Sequence, residues 1–279
     1  MNGRPLLLGV HREDGHSPGH EDNDPAILQA TAAALCRRGH RVRLCRPDDI
    51  ARELAAAPAL VFAMCETPAF LAELDRQVAY GVPVFNHPRG IRNTYRYRMI
   101  HELATAPISG PAAEIAVLEG NPLWPQRPVW LKRYDYHSTQ PDDVLFADSR
   151  TRWDAAVESF KARGFTMAIM QDHVPGDLIK FYGVGNRWFR WFDDENQAVS
   201  GHHFDAAALA RAANSAAAAL DVAIFGGDAI VGPNHAITII DLNAWPSYAR
   251  FRAEAGAAIA EFLEENLAVR PRAASASAL

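Results

Sequence analysis

Cysteine is scarce in this chain of 279 residues, and long apolar runs are missing. Its three cysteines, Cys36, Cys45 and Cys65, are too few and too scattered for a disulfide framework or a zinc site. They are typical of reduced thiols in a cytoplasmic protein. No apolar run approaches the ~20 residues that cross a bilayer, and no export signal is visible at the N-terminus. We therefore expect a cytoplasmic protein without a membrane partner.

Positive charge is also in short supply. The chain has 28 Lys and Arg against 33 Asp and Glu, so its formal net charge is −5. No field on that scale favours phosphate backbones, so we expect no nucleic-acid partner. Hydrophobic residues at 49% and charged residues at 22% exclude disorder over most of the chain. At ~150 residues per domain, the length predicts one or two domains.

Several common motifs are absent as well. The chain has no G-x-x-x-x-G-K-[ST] phosphate loop, no G-x-S-x-G and no H-E-x-x-H. Gly183 and Gly185 lack the third glycine of a dinucleotide fingerprint. The sequence therefore carries none of these signatures, and we expect no binding of NAD.

The first ~90 residues alternate short apolar strands with amphipathic helices, which predicts a parallel sheet covered by helices. The first strand, ending at Val10, is followed by a polar segment from His11 to Asp24. Ligands of open α/β sheets bind beyond the carboxyl ends of such strands. We expect this segment, together with Glu66 after the third strand, to face a substrate.

The pattern changes after residue 94 to longer strands and hairpins. VWLKRYD (129–135) and TMAIMQDHV (166–174) are typical strands, and residues 151–163 form a helix. A hairpin turns at Gly185–Asn186, and another turns around Gly232–Asn234. A last helix is predicted from Tyr248 to Leu267.

The second hairpin is the most informative segment. Asp241 and Asn243 are two residues apart on one strand, so both side chains leave the same face. Asp228 precedes the turn by about as many residues as Asp241 follows it, so the three groups should lie together. Two carboxylates and an amide suit Mg²⁺. The alternative is a surface hairpin with scattered acids. Without a metal the carboxylates should repel, so Asp241→Asn should leave the metal-free protein as stable or more stable.

Three cations and one strand end are further candidates. Lys132 lies in the middle of a strand, where a lysine is either a phosphate ligand or an edge residue that reaches solvent. The backbone at Gln171–Val174 could read a purine edge, and Lys180 on the next strand could face a phosphate. Arg96 lies on the preceding helix. Taken alone, Lys132 fits either role equally, whereas the strand end with Lys180 and the helix arginine are more often ordinary surface features.

In this order, the pieces resemble the ATP-grasp superfamily over about residues 5 to 265. The segment IIDLNAWPSY is similar to the I-D-x-N-x-(F/W)-P signature of inositol trisphosphate kinases and of enzymes like the ribosomal-protein glutamate ligase. The resemblance implies a mixed α/β and α+β fold, with ATP between two α+β subdomains. It divides the chain into an N-terminal α/β domain (1–94), a small subdomain (95–170), a C-terminal subdomain with the metal site (171–268) and a disordered tail (269–279).

The resemblance also implies roles for these residues. Lys132 and Arg96 would bind the ATP phosphates, and Lys180 and Arg190 would serve catalysis. The adenine-reading segment would comprise Gln171, Asp172, His173 and Val174. The ligands of two magnesium ions would be Asp228, Asp241 and Asn243, with Asp241 as the bridge.

Two departures from the family pattern stand out. The glycine-rich flap expected after the strand lysine is replaced by YDYHSTQPDDVLF, in which His137 and Ser138 would substitute. Gly226 stands where D-alanine–D-alanine ligases place an arginine, which disfavours that subfamily.

Two classes of function remain open. One is a carboxylate–amine ligase that forms an acyl phosphate on a small molecule or peptide. The other is a small-molecule kinase that phosphorylates a hydroxyl. A highly phosphorylated substrate would need a dense basic pocket, and no lysine precedes Lys132; the basic residues of the N-terminal part that could contribute are Arg4, His11, Arg12, Arg89 and Arg92. We therefore favour the ligase. Arg187 or Arg190 is a further candidate for substrate contact, and the oligomeric state, including a homodimer, stays open.

Overall fold

The structure, a computed structural model, describes residues 4–16, 22–120, 122–194 and 199–268. Within these ranges, twelve strands form three sheets of four strands each. The mixed α/β and α+β fold class predicted from the sequence is confirmed. The predicted tail at 269–279 lies outside the described residues. No helix in the described ranges is both long and apolar enough to cross a membrane.

The first sheet is parallel throughout, with the strand order β2-β1-β3-β4. Its strands are β1 (Leu6–Val10), β2 (Arg41–Cys45), β3 (Leu60–Ala63) and β4 (Val84–Phe85). The helices that connect and follow them are α1 (Asn23–Arg37), α2 (Ile50–Leu54), α3 (Pro68–Ala79), α4 (Pro88–Asn93) and α5 (Arg96–Ala104). Every residue of β1 and β3 is buried, as the apolar runs predict for strands covered on both faces.

The second sheet is antiparallel, with the order β5-β8-β6-β7. Its strands are β5 (Ala113–Val117), β6 (Val129–Arg133), β7 (Val144–Ala147) and β8 (Met167–Asp172). Helix α6 (Arg150–Ala162) buries Trp153 and Phe160 against one face. Because side chains alternate along a strand, the other face carries Lys132 of β6 and Gln171 of β8.

The third sheet is also antiparallel, with the order β10-β9-β11-β12. Its strands are β9 (Asp177–Val184), β10 (Trp188–Asp193), β11 (Ile224–Val231) and β12 (Ile237–Ala244). Two helices complete it, α7 (Ala206–Ala219) and α8 (Arg252–Ala268). Helix α8 packs on α1, so the third sheet shares its core with the N-terminal sheet, whereas the second sheet has a core of its own.

The last helix begins later than the sequence predicts. Tyr248 adopts a left-handed conformation with φ of 50°, and a short 3-10 helix (Ala249–Phe251) separates it from α8. The Tyr248 hydroxyl donates to the carbonyls of Gly183 and Phe225, at 2.8 and 3.0 Å. These buried bonds hold Tyr248 beneath the third sheet, which is why the helix cannot start there. The domain boundaries remain predictions. Strand β8 continues two residues past the predicted boundary at residue 170.

Candidate active site

A cavity of about 730 Å³ lies where the second and third sheets face each other. Every residue to which the family resemblance gives a catalytic, ATP-binding or metal-binding role lines this cavity, with the exception of Arg190. These lining residues are Arg96, Lys132, His137, Gln171, Asp172, His173, Val174, Lys180, Asp228, Asp241 and Asn243. The fold thus brings together positions that are up to 147 residues apart, from Arg96 to Asn243.

The central polar row of the cavity is set by strand register. Asp228 of β11 lies opposite Lys180 of β9 on one side and opposite Asp241 of β12 on the other. A bulge follows Asp228, and Asn243 is paired with Gly226. The two-residue spacing places Asp241 and Asn243 on one face, and the bulge brings Asp228 opposite Asp241 on that face.

Each carboxylate has its own cation. Lys180 Nζ lies 3.2 Å from Asp228 Oδ1 and 3.7 Å from Asp194 Oδ2, and Arg96 Nη2 lies 3.6 Å from Asp241 Oδ2. Burial raises the pKa of Asp228 in spite of Lys180. Burial also acts on Asp241, but the charges of Arg96 and Lys132 outweigh it and lower the pKa of that carboxyl.

Lys132 is buried on the opposite wall, with 7% of its surface exposed. Its ammonium donates to the carbonyl of Ile240 at 3.4 Å, as does the Gln171 side-chain amide at 3.3 Å. Burial lowers the pKa of Lys132, and the charge of Asp241 opposes that effect. Burying a charged lysine costs free energy, and one carboxylate offsets only part of it. A further anion bound beside Lys132 would offset more of that cost.

Arg96 offers unused donors to the cavity. Its guanidinium is only 3% exposed, and Nη2 donates to the Ser138 hydroxyl at 3.2 Å. Within the described residues, Nε and Nη1 have no hydrogen-bond partner. Buried guanidinium donors without partners are expensive unless an anion binds them. This geometry fits a phosphate group.

The segment between β8 and β9 forms the far end of the cavity. His173 donates its amide to the Pro128 carbonyl, and Asp172 pairs with Arg127 at 2.8 Å. The amide of Val174 forms no hydrogen bond to any described residue. Gly176 has φ of 149°, and a Cβ there would lie 2.3 Å from the Val231 carbonyl oxygen, so the turn requires glycine. Val174 lines the cavity, so its amide is a backbone donor of this segment that a ligand can reach.

The loop that replaces the glycine-rich flap is fixed at both ends. At its base, the buried Asp143 accepts from the amides of Thr139 and Gln140, at 2.7 and 3.0 Å. At its tip, His137 contacts Glu66 Oε1 at 3.2 Å and the His16 carbonyl at 2.8 Å. The His137 ring is thus engaged with the N-terminal part of the protein while it lines the cavity.

Glu66 is the centre of a charge cluster at the edge of the parallel sheet. Its carboxylate meets Arg12 at 3.1 Å and His16 at 3.0 Å. Burial opposes its ionisation, but His137 and Arg12 hold its pKa well below the usual range. Arg12 also pairs with Asp24 at 2.7 Å and donates to the Trp245 carbonyl at 2.8 Å. Arg12 and Asp24 line the cavity. Glu66 does not, but it links the segments of the chain that carry Arg12, His16 and His137.

Arg190 is not part of this site, which corrects the sequence prediction. It lies opposite Tyr182, on the expected face, but at the end of the sheet where α8 packs. There it pairs with Glu254 at 2.7 Å and lies over the Trp188 ring. Arg187, the other candidate for substrate contact, pairs with Glu265 of α8.

No known sequence family and no curated protein matches the chain. Solved structures, in contrast, match nearly the whole chain. A D-alanine–D-alanine ligase from Bacillus anthracis, complexed with ATP, has a TM-score of 0.73 at 9% identity, covering 95% of this chain and 97% of that one. A RimK-domain ATP-grasp protein from Sphaerobacter thermophilus scores 0.64 at 18% identity, covering 92% and 99%. The ligase PsnB, complexed with a minimal precursor, Mg and ADP, scores 0.66 at 15% identity, covering 94% and 98%.

The chain has the ATP-grasp fold. Identities this low show the fold alone, so the chemistry of the cavity must be argued from its residues. In the described ranges, no cluster of three or more His, Cys, Asp or Glu side chains is arranged to hold a metal. Two carboxylates and one amide nevertheless fit Mg²⁺, because this ion usually takes its remaining ligands from water and phosphate. Asp228, Asp241 and Asn243 are therefore the residues of this cavity that would hold Mg²⁺.

Sequence reasoning missed one wall of the cavity. Tyr182, Phe192 and Arg250 line it beyond Lys180. Tyr182 could have been found, because it is two residues from Lys180 and must share its face. Phe192 follows from the hairpin register, since it pairs with Lys180. Arg250 lies in the short 3-10 helix Ala249–Phe251, which the sequence prediction merges with the last helix, so the direction of its side chain is not predicted.

Proposed function

We propose that the protein is an ATP- and Mg²⁺-dependent carboxylate–amine ligase that acts through an acyl phosphate on a small molecule or peptide. The observation that carries this proposal is the row formed by Lys180, Asp228 and Asp241 beneath the buried cations Arg96 and Lys132. Ligases among the structural neighbours, including a D-cycloserine synthetase and a ligase bound to a precursor peptide, are consistent with it.

The residues divide the work along the cavity. The Val174 amide is a donor for the nucleobase, while Arg96, Lys132 and Lys180 offset the charge of the phosphates. Bound Mg²⁺, held by Asp228, Asp241 and Asn243, would offset the charge of the β- and γ-phosphates. The loop around Ser138 keeps Arg96 in place, because the Ser138 hydroxyl accepts from its guanidinium.

The proposed reaction has two steps. A substrate carboxylate oxygen bonds to the γ-phosphorus, and the bond to ADP breaks. An amine nitrogen then attacks the acyl carbon and loses a proton, and inorganic phosphate leaves. Lys180 is the cation best placed for both steps, because its Asp228 contact fixes it in the central row.

The kinase alternative receives less support from the structure. A highly phosphorylated substrate needs several cations around one pocket. Here Arg89 binds Asp221 at 2.8 Å, Arg92 binds Asp75 at 2.7 Å, and Arg12 is held by Asp24 and Glu66. All three arginines are therefore engaged in internal ion pairs, and of the three only Arg12 lines the cavity.

Hydroxylamine separates the two classes. The protein would be incubated with Mg²⁺, ATP and panels of amino acids, dipeptides and polyols, with and without hydroxylamine. A ligase gives ADP and a hydroxamate from a carboxylate even when its natural amine is missing. Phosphorylation of a polyol without any hydroxamate would favour the kinase. The matched controls are Asp241→Asn, which should abolish turnover, and Arg190→Met, which should retain it.

A further inference from the structure

Arg96 faces the cavity without most of the contacts that a buried arginine usually makes. Its side chain is 3% exposed, and Nε and Nη1 have no hydrogen-bond partner in the described part of the chain. The nearest carboxylate oxygen, from Asp241, lies 3.6 Å from Nη2, which is longer than a hydrogen bond. Water would satisfy these donors better, so the guanidinium stays in place only because the surrounding chain holds it. The contacts around Arg96 therefore decide whether its free donors meet a bound anion.

One set of contacts reaches Arg96 from the loop that replaces the glycine-rich flap. The Ser138 hydroxyl accepts from Arg96 Nη2 at 3.2 Å, and the Asp135 carbonyl accepts from the Arg96 amide at 2.9 Å. His137, the neighbour of Ser138, places its ring 3.2 Å from Glu66 Oε1. The part of the loop beside the guanidinium is thus attached to the segment that follows β3.

A second set of contacts reaches Arg96 along the chain. Tyr95, the residue before it, is buried and donates its hydroxyl to the Glu66 carbonyl. The Tyr95 ring also packs edge-on against the Tyr136 ring of the loop, with the ring centres 5.1 Å apart. Glu66 therefore contacts Tyr95 with its backbone and His137 with its side chain. Both are direct neighbours of the residues that carry or bind the guanidinium.

Glu66 acts from outside the cavity. It is buried and is not among the residues that line the cavity. Its carboxylate pairs with Arg12 at 3.1 Å, and its amide and that of Thr67 donate to the Glu13 carboxylate at 3.0 and 2.7 Å. These contacts fix Glu66 beside the parallel sheet. Because Glu66 does not reach the cavity, its effect on a ligand has to pass through the residues that it contacts.

We propose that Glu66 is a positioning residue for ATP, which holds the Arg96 guanidinium where Nε and Nη1 bind a phosphate oxygen. It acts through Tyr95 and through the loop that carries His137. The segment after β3 thereby takes part in ATP binding without touching the nucleotide. This inference rests on the proposed function, because a bound phosphate is what gives the free Arg96 donors a partner.

Two probes that differ in their phosphates test this role. Saturation-transfer NMR gives the affinity for adenosine, and calorimetric titration gives the affinity for β,γ-imido-ATP with Mg²⁺. Glu66→Gln keeps the carbonyl that Tyr95 binds and removes the charge that His137 faces. It should weaken binding of β,γ-imido-ATP about tenfold and change that of adenosine by less than about twofold. A residue that only supports the fold would lower both affinities.

A double-mutant cycle shows whether Glu66 acts through Arg96. In the Arg96→Met background the phosphate donors are gone, so Glu66→Gln should weaken β,γ-imido-ATP by less than about twofold. His137→Ala is a second variant for the case that Glu66→Gln does not fold, because it breaks the contact to the loop and leaves the pair of Glu66 with Arg12. Its loss of affinity should likewise disappear in Arg96→Met.

Glu264→Gln is the matched control. Glu264 of α8 contacts Arg38 and His40, at 3.5 and 2.9 Å, in a similar cluster outside the cavity. This variant should change neither affinity. Equal losses for adenosine and β,γ-imido-ATP, a loss that persists in full in Arg96→Met, or an unchanged affinity in Glu66→Gln would overturn the positioning role. Failure of the proposed function reads differently, because the wild type itself would then not bind β,γ-imido-ATP with Mg²⁺.

Discussion

Asp228 and Asp241 lie directly opposite each other on β11 and β12, yet their surroundings push their pKa values in opposite directions. Burial and the neighbouring carboxylate raise the pKa of Asp228, and Lys180 offsets only part of this. Arg96 and Lys132 overcome the burial of Asp241 and lower its pKa. Ionised Asp241 therefore stabilises the metal-free fold, whereas ionised Asp228 destabilises it.

This asymmetry changes the expectation for charge removal. The sequence predicts that Asp241→Asn leaves the metal-free protein as stable or more stable, and the structure transfers that expectation to Asp228→Asn. At pH 7, Asp241→Asn should lose about 1–2 kcal/mol of unfolding free energy. Because the pKa of Asp241 is lowered, this loss should vanish as the pH falls through about 3.9 and below.

Urea unfolding of both variants in chelator measures these differences, and ATP turnover in Mg²⁺ measures the role of each carboxylate in the site. Both variants should lose turnover by orders of magnitude. If Asp241→Asn proves the more stable of the two without metal, the assignment of Arg96 and Lys132 as its partners is wrong.

Lys132→Met should weaken MgATP binding about 10- to 100-fold, the loss expected for a charge-assisted contact to a phosphate. Folding should survive, because burial already disfavours the charge of Lys132. Lys132→Arg should restore binding only in part, since a planar fork does not replace a compact ammonium. Calorimetric titration with MgATP measures this, with the exposed Lys161 of α6, changed to Met, as the control. Unchanged affinity in both Lys132 variants would show that the phosphates lie elsewhere.

Local patterns predict much of this fold. Two-residue spacing suffices to place Asp241 and Asn243 on one face. The register of the turn alone would pair Asp228 with Ile240, and the bulge next to Asp228 shifts it so that Asp228 lies opposite Asp241. The alternation of side chains along a strand likewise predicts that Lys132 and its neighbour Leu131 point to opposite faces of the sheet.

Contacts between distant elements could not be predicted in the same way. Arg96 meets Asp241 only because α5 packs where the second and third sheets face each other, which no local period encodes. Arg190 lies on the expected face of the sheet, but its position along β10 places it beside Glu254 of α8 and outside the cavity. Strand β7 was not predicted, because its residues belong to the segment that the family resemblance assigns to a flap.

His16 should make stability depend on pH near neutrality. Its hydrogen bond to Glu66 raises its pKa above the ordinary 6.5, although burial opposes this. A raised pKa means that the contribution is complete below about pH 6.5 and is lost as the pH rises through the higher folded-state value. The stability difference between wild type and His16→Gln should therefore shrink from acid to alkaline pH. Urea unfolding on both sides of neutrality tests this, with the exposed His101 of α5, changed to Gln, as the control. A difference that does not vary with pH would exclude the ion pair.

Asp143 should be the anchor of the loop that carries His137 and Ser138. Its buried carboxylate pairs with Arg133 and Arg163 and accepts hydrogen bonds from two loop amides. These contacts hold the pKa of Asp143 well below the usual range in spite of burial. Asp143→Asn leaves the arginines without a full partner, so it should lose about 3 kcal/mol or more of unfolding free energy at pH 7. The exposed Asp142 of the same turn, changed to Asn, should lose almost nothing. Hydrogen exchange of the amides at 139 and 140 should quicken only in the Asp143 variant, and MgATP affinity should fall with it, because Ser138 no longer steadies Arg96. Equal stability of the two variants would mean that the loop is held from its tip, by His137 on Glu66, and not from its base.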